Sequence, residues 1–335
     1  MPFPVRRTIL SLLLALISLA GCAGESSNGG HSLIIATATP GGTYYPVGVG
    51  IGTLLTMRLQ PNVAASAITS AGSAENVQML QGGESQLAIL QGLYGAMAWR
   101  GVGIYKDRPF SELRSISMLW RNVEHFLSTG SGTGIESLKG SGLRYSIGKR
   151  GSGTEGSTRV ILEALGINPE TDLEPEYLGY GPSAQAMMDG RIRGASIPAG
   201  PPVAAVTQAF AQLGAGNVTI MSFSEAQLAS VREAYPVWTR HTLPPNTYPG
   251  QSAPVQTIAQ PNILVCTSDL DEALVYDITR TLYENLHYLQ NIHKATTVMS
   301  LEKAVEGLAV PIHPGAARYY REQGVSIPDS WDVAQ

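Results

Sequence analysis

Cysteine is almost missing: the 335 residues hold only Cys22 and Cys266, which excludes a disulfide-stapled scaffold. Charge is scarce as well. Asp, Glu, Lys and Arg make up 14 % of the chain and sum to −4, which fits neither a mainly disordered chain nor a generally basic nucleic-acid binder. The 6 histidines lack metal-site spacing, and no His-Glu-x-x-His occurs, so no metal is expected. Gly148-Lys149-Arg150-Gly151 lacks the Gly-Lys-Ser/Thr ending of a phosphate-binding loop. Ser300-Leu301-Glu302-Lys303 has Ser-x-x-Lys spacing without the companion motifs of the hydrolases that use it. No nucleophile–base pair or cofactor motif stands out, although such sets can assemble in space from residues far apart in sequence.

What is present begins with an address. Arg6 and Arg7 precede a mostly apolar run from Thr8 to Ala20, too short for a membrane span of roughly 20 residues and suited to a secretory signal. It ends in Leu19-Ala20-Gly21-Cys22, which resembles the bacterial lipobox. In that reading residues 1–21 are a lipoprotein signal peptide, Cys22 is lipidated, and the exported chain is a cell-envelope protein tethered to a membrane surface. An ordinary signal peptide with an incidental cysteine is the alternative. Residues 22–31 then form a polar, Gly/Ser-rich linker. No later apolar run approaches membrane-spanning length, and Cys266, in Ile263-Leu264-Val265-Cys266, reads as a buried strand residue.

A hydrophobic fraction of 44 % over this length supports about two domains with sizeable cores. From Leu33 onward, strands alternate with helices. Strands are expected at 33–37, 63–69, 86–90, 143–147 and 195–197, and helices from about Tyr44, Ser73, Gly153, Ser183 and beyond Pro202. The pattern predicts an α/β fold of mainly parallel sheets with helical crossovers, built as two lobes. Glycines 48, 50 and 52 inside the first helix imply close packing or close approach of a ligand. Leu274, Ile278, Leu282, Leu286 and Leu289 trace one face of a single long helix. His313-Pro314-Gly315 reads as a turn before the last helix.

Three strand-to-helix turns share a composition: Gly41-Gly42-Thr43-Tyr44-Tyr45, Ala71-Gly72-Ser73-Ala74-Glu75-Asn76 and Arg150-Gly151-Ser152-Gly153-Thr154. The first turn of a helix carries unpaired N–H groups and the positive end of the dipole, so such turns can hold a carboxylate or phosphate. Ordinary capping would also explain the Ser and Gly. Three such turns in two lobes match the rule that α/β folds bind ligands at the carboxyl ends of parallel strands. Lys149 and Arg150 are either solvated loop charges or groups that steer an anion.

Gly41 to Gly48 (Gly-Gly-Thr-Tyr-Tyr-Pro-Val-Gly), Gly72 to Asn76 and Gly151 to Glu155 resemble motifs of the TAXI family of solute-binding proteins. Pro245 to Gln251, Tyr276 to Arg280 and Pro311 to Glu322 match as well, so the likeness runs from about residue 33 to 325. Those proteins are extracytoplasmic receptors of tripartite ATP-independent periplasmic (TRAP) transporters. The resemblance implies a two-lobed, type II periplasmic-binding-protein-like fold that closes on glutamate, 2-oxoglutarate or a related small organic anion. Carried over by motif, the ligand would meet Thr43, Tyr44, Tyr45, Ser73, Asn76 and Gln91 from one lobe. Ser152, Gly153, Thr154, Gly200, Pro201 and Tyr248 would complete the site. The partners implied are the TRAP permease subunits and the membrane reached through the lipid, and no nucleic acid. Lobe I is expected at 32–128 plus 258–335, and lobe II at 129–257. The chain departs from the family at Gly190 to Ala195 and at Gly92-Leu93 after Gln91, which leaves the solute open. Together with the lack of a catalytic constellation, the resemblance leads to the expectation of a protein that is not an enzyme and carries no cofactor. A ligand-sensing lipoprotein that signals to a membrane partner shares this fold, and a lipoprotein hydrolase is the third reading.

Overall fold

The computed structural model describes residues 30–331 apart from 131 and 133; the expected signal segment and lipid site at Cys22 lie outside the described residues. The first lobe opens with β1 (His31–Ala36), α1 (Tyr44–Leu59), β2 (Val63–Ile68), α2 (Ser73–Gln81), β3 (Leu87–Gln91) and α3 (Gly92–Arg100). β2, β1 and β3 pair in parallel, with Ile35 opposite both Ala67 and Leu87. Parallel neighbours need helical crossovers, and α1 and α2 supply them. The glycines of α1 serve packing: a Cβ at Gly52 would lie 3.2 Å from the Ala65 carbonyl oxygen, one at Gly50 3.1 Å from Ile292, and one at Gly48 would strike Thr37. The helix therefore sits close on the β1–β2 pair.

β4 (Leu113–Val123) then carries the chain toward the second lobe. There follow β5 (Phe126–Ser128), β6 (Leu143–Ser146), α4 (Gly153–Ala164), α5 (Pro169–Asp172), β7 (Leu173–Glu176), α6 (Tyr180–Met188), β8 (Gly194–Ser196), α7 (Ala204–Leu213), β9 (Thr219–Ile220) and α8 (Glu225–Ala234). Their sheet has the order β7-β6-β8-β5-β9. β10 (Thr239–Leu243) and the long β11 (Val255–Thr267) return to the first sheet, where one edge of β11 pairs with β4 and the other with β10 and then β3. α9 (Glu272–Glu284), α10 (Leu286–Ile292) and α11 (Pro314–Glu322) complete the first lobe.

The parallel cores expected from strand–helix alternation, β2-β1-β3 and β7-β6-β8, are there. Antiparallel strands complete both, because β4, β5 and β11 are the segments that run between lobes. Sheet membership differs from the expected lobe limits at both crossings. β5 pairs in the second sheet although 128 was the expected end of lobe I, and β10 pairs in the first although it falls within 129–257. β1 also takes in His31, the last residue of the expected linker.

The apolar cores do not follow the division: one joins Ile35, Ile51, Leu55 and Leu264 of the first lobe to Phe126, Tyr145, Ile161 and Phe223 of the second, and the other gathers Leu127, Met187, Ile197 and Phe210. The helix expected through Leu289 is two helices. It breaks at Asn285, whose side-chain amide donates to the Thr281 carbonyl (2.8 Å) and whose φ is −128°, a local bond that competes with helix continuation. Cys266 is fully buried in β11. His313 caps α11, its Nδ1 accepting from the Gly315 N–H at 3.2 Å.

Candidate functional site

Four helices begin at one cleft between the lobes. Thr43 before α1, Gly72 before α2, Ser152 before α4 and Gly179 before α6 all line the same cavity. Only Ser152 caps with its side chain, accepting the Glu155 N–H at 3.0 Å. The other three starts have no side-chain cap, so their first-turn N–H groups are left for other acceptors. Gly72, at φ +126°, turns the chain into α2 in a conformation L side chains rarely adopt. A Cβ there would also lie 3.4 Å from the Gly153 nitrogen of the facing lobe.

The walls are aromatic and neutral. Tyr44 donates to Asn262 Oδ1 at 2.5 Å and meets Trp120 edge-on. Tyr180 donates to the Pro198 carbonyl, so Thr154, 3.1 Å away, gives its proton to the Tyr180 oxygen. Burial raises both phenols above their ordinary value, and they stay protonated. No Asp or Glu lines the cavity. Its one charged group is Lys149, exposed at the rim and with no carboxylate paired to it among the described residues. The neighbouring Arg150 is engaged elsewhere, stacked 3.5 Å over the Tyr177 ring.

Buried polar atoms without partners surround the cleft floor. Gln91 lines the cavity, and its Oε1 is buried and unbonded. Glu124, at the crossing between β4 and β5, is fully buried. The Ser157 hydroxyl and the Gln260 amide face its carboxyl, and neither completes a hydrogen bond. Desolvation pushes that carboxyl well above the usual carboxylate range, so it is neutral. Beside it His125 presents Nδ1 to the Ile197 carbonyl (3.1 Å) and Nε2 to the Tyr248 hydroxyl (2.8 Å).

The cavity brings together seven of the twelve residues expected at the ligand: Thr43, Tyr44, Ser73, Gln91, Ser152, Gly153 and Thr154. The other five lie elsewhere. Asn76 spends its amide on the Ala36, Thr37 and Ile89 carbonyls while its Oδ1 accepts from Ser70, which ties the ends of β1 and β3 together. Tyr248 is stacked on Phe210 and bonded to His125 at the crossing. Gly200 accepts from the Thr43 hydroxyl at 2.9 Å, and a Cβ on it would strike Trp120. Pro201 faces a separate groove with Pro202 and His241. Tyr45 is half-buried outside the lining. The sequence reasoning missed Gly179 and Tyr180, although Gly179-Tyr180-Gly181-Pro182 repeats the Gly-rich strand-to-helix signal of the other turns. Glu124 carries no local signal at all.

Two helix starts from each lobe face one another across a cavity at the lobe interface. The chain belongs to the NMT1-like family, whose model matches residues 35–324. Among solved structures it is similar to MatC from Rhodopseudomonas palustris with bound malate, at 13 % identity over 79 % of this chain and 88 % of that one, with a TM-score of 0.50. A protein from Bordetella bronchiseptica RB50 matches at 14 % identity over 91 % and 92 %, also with a TM-score of 0.50. The periplasmic aliphatic sulphonate binding protein SsuA from Escherichia coli matches at 13 % identity over 87 % and 83 %, with a TM-score of 0.44. The fold is that of the periplasmic solute-binding proteins.

Proposed function

We propose that this protein is a lipid-anchored receptor of the TAXI type that captures a small organic anion and delivers it to the membrane subunits of a TRAP transporter. The observation that carries the reading is the cleft itself: four helix N-termini from two lobes around a cavity lined by one free ammonium and no carboxylate. Such a site favours negative charge. The malate bound by the structurally similar MatC supports a carboxylate such as glutamate or 2-oxoglutarate as the solute. The cavity holds about 30 Å³, room for a little water, so the lobes part to admit a solute and close on it by differential affinity. The lipobox at Cys22 supports tethering at the extracytoplasmic face of a membrane.

Calorimetric titration of the purified chain with 2-oxoglutarate, glutamate, malate and neutral sugars tests this. A carboxylate is expected to bind and the sugars are not. Ser152→Ala should weaken binding by about 1.5–3 kcal/mol, the worth of a hydrogen bond to a charged group. The single Thr43 proton is donated to the Gly200 carbonyl across the lobes, so Thr43→Ala should weaken binding through the loss of that bond between the lobes. Lys149→Ala should weaken binding most at low ionic strength, because an exposed charge is screened by salt. Tight sugar binding, or unchanged affinity in both hydroxyl variants, removes the site assignment.

A further inference from the structure

The lobes meet through tyrosines seated on glycines. Tyr94, on α3 of the first lobe, reaches across and donates its hydroxyl to the Ser152 carbonyl at 3.1 Å. That carbonyl is the acceptor for the Gly156 N–H in the first turn of α4, and the helical bond there is long, 3.5 Å. The Gly156 N–H also faces the Tyr94 oxygen, so the hydroxyl is wedged into the opening turn of the anion-facing helix. The seat admits only glycine: a Cβ at Gly156 would overlap the Tyr94 hydroxyl and lie 2.7 Å from Cζ and 3.0 Å from Cε2. On the other side of the cleft the roles reverse. The ring of Tyr180, from the second lobe, lies on Gly42 of the first, where a Cβ would come within 2.8 Å of Cδ2 and Cε2. Tyr180 lines the cavity, whereas neither Tyr94 nor Gly156 does.

We propose that Tyr94 and Gly156 are positioning residues that set how far the lobes close, and through that the affinity of a cleft neither of them touches. The inference rests on the solute-binding reading. Tyr94 stands on the first lobe's last helix before β4, and its ring meets Tyr105 edge-on at 6.5 Å, which fixes its direction. The socket is formed by the helix whose N-terminus faces the ligand. A fully seated hydroxyl therefore gives one separation between the α4 start and the α2 start opposite. An added methyl holds the two starts apart, and N–H groups pulled back from an anion lose their grip on it.

The test compares the full-length wild type with Gly156→Ala, Tyr94→Phe and the Tyr94→Leu/Gly156→Ala double variant, titrated with 2-oxoglutarate, glutamate and malate. Small-angle scattering of the saturated samples and thermal melts of the free ones accompany the titrations. Gly156→Ala should lower affinity at least tenfold and enlarge the radius of gyration, with the melting temperature of the free protein held or raised, since alanine favours helix. Tyr94→Phe, which loses only the hydroxyl bonds, should lower affinity a few-fold. The double variant, whose shorter side chain leaves room for the methyl, should recover the affinity lost by Gly156→Ala. Unchanged affinity in Gly156→Ala, or no recovery in the double variant, overturns the proposal while leaving the receptor reading intact. Failure of the wild type to bind any of the carboxylates removes both.

Discussion

His125 offers a quantitative test of how the lobe crossing is held together. Its ring is fully buried. A carbonyl can only accept, so Nδ1 carries the proton toward Ile197, and Nε2 accepts from the Tyr248 hydroxyl, whose oxygen in turn accepts the Val203 N–H at 3.3 Å. A second proton would place a cation in a dry site and turn the Tyr248 bond around. Burial accordingly pushes the imidazole from its ordinary 6.5 down to about 4. Between those values the unfolded chain binds a proton that the folded chain refuses, so this group's contribution to stability falls as pH drops through that window. The loss reaches roughly 3 kcal/mol near pH 4, at 1.36 kcal/mol per pKa unit. Glu124 works in the opposite sense: its carboxyl stays protonated in the fold at pH values where the unfolded chain has ionised, so its contribution is lost as pH rises. In the wild type the two slopes oppose each other. His125→Gln removes one of them. Urea unfolding of wild type and His125→Gln from pH 4 to 8 should give a stability difference that is flat above about pH 7. Below that the variant should gain on the wild type by roughly 3 kcal/mol. A difference that stays flat throughout refutes the assignment of a buried neutral imidazole.

Two further outcomes follow from the buried groups. Glu124→Gln, which keeps the shape and removes the ionisable proton, should flatten the loss of stability on raising pH, so that its melting temperature gains on that of the wild type as pH increases; parallel melting curves from pH 5 to 8 would contradict this. Cys266 is buried in β11 with its thiol pushed up by desolvation, so the native chain should not react with a thiol-specific reagent at that position until urea unfolds it; prompt native labelling, mapped by peptide mass, would show the strand to be open.

The parts of the fold legible in the sequence are those with local causes. Leu33-Ile34-Ile35 and Leu87 to Leu90 are apolar runs bounded by turn residues, and they became the parallel core of the first sheet. Ser152 and Glu155 stand at capping spacing, and Ser152 does cap α4. The antiparallel strands were hidden because their partners are remote: β4 and β11 pair residues more than a hundred positions apart, and neither has a turn to announce the pairing. The same division holds at the site. Ser73, Ser152 and Thr154 could be placed at the cavity from their own helix starts, whereas Asn76, in the same motif as Ser73, and Tyr248, in Pro245 to Gln251, work on the framework, one binding strand ends and the other binding the crossing. Residue type and neighbourhood cannot separate the two roles, since an amide serves a backbone carbonyl as well as it serves a ligand.

The framework and the cavity lining are physically continuous here. The buried Thr43 hydroxyl in the cavity wall bonds Gly200, Gly200 lies against Trp120, and Trp120 meets Tyr44, which reaches Asn262 and through it Asn122 in β4. On the second lobe Val123 of the same strand exchanges backbone bonds with Ala199, which lines the cleft. On the proposed reading, a shift of the loop at 198–200 on solute binding would therefore be felt by both strands that cross between the lobes. Packed side chains and paired backbone do not deform smoothly, so on the proposed reading the loop would shift between few positions. A receptor of that kind would present its loaded and empty forms to a membrane partner as different surfaces.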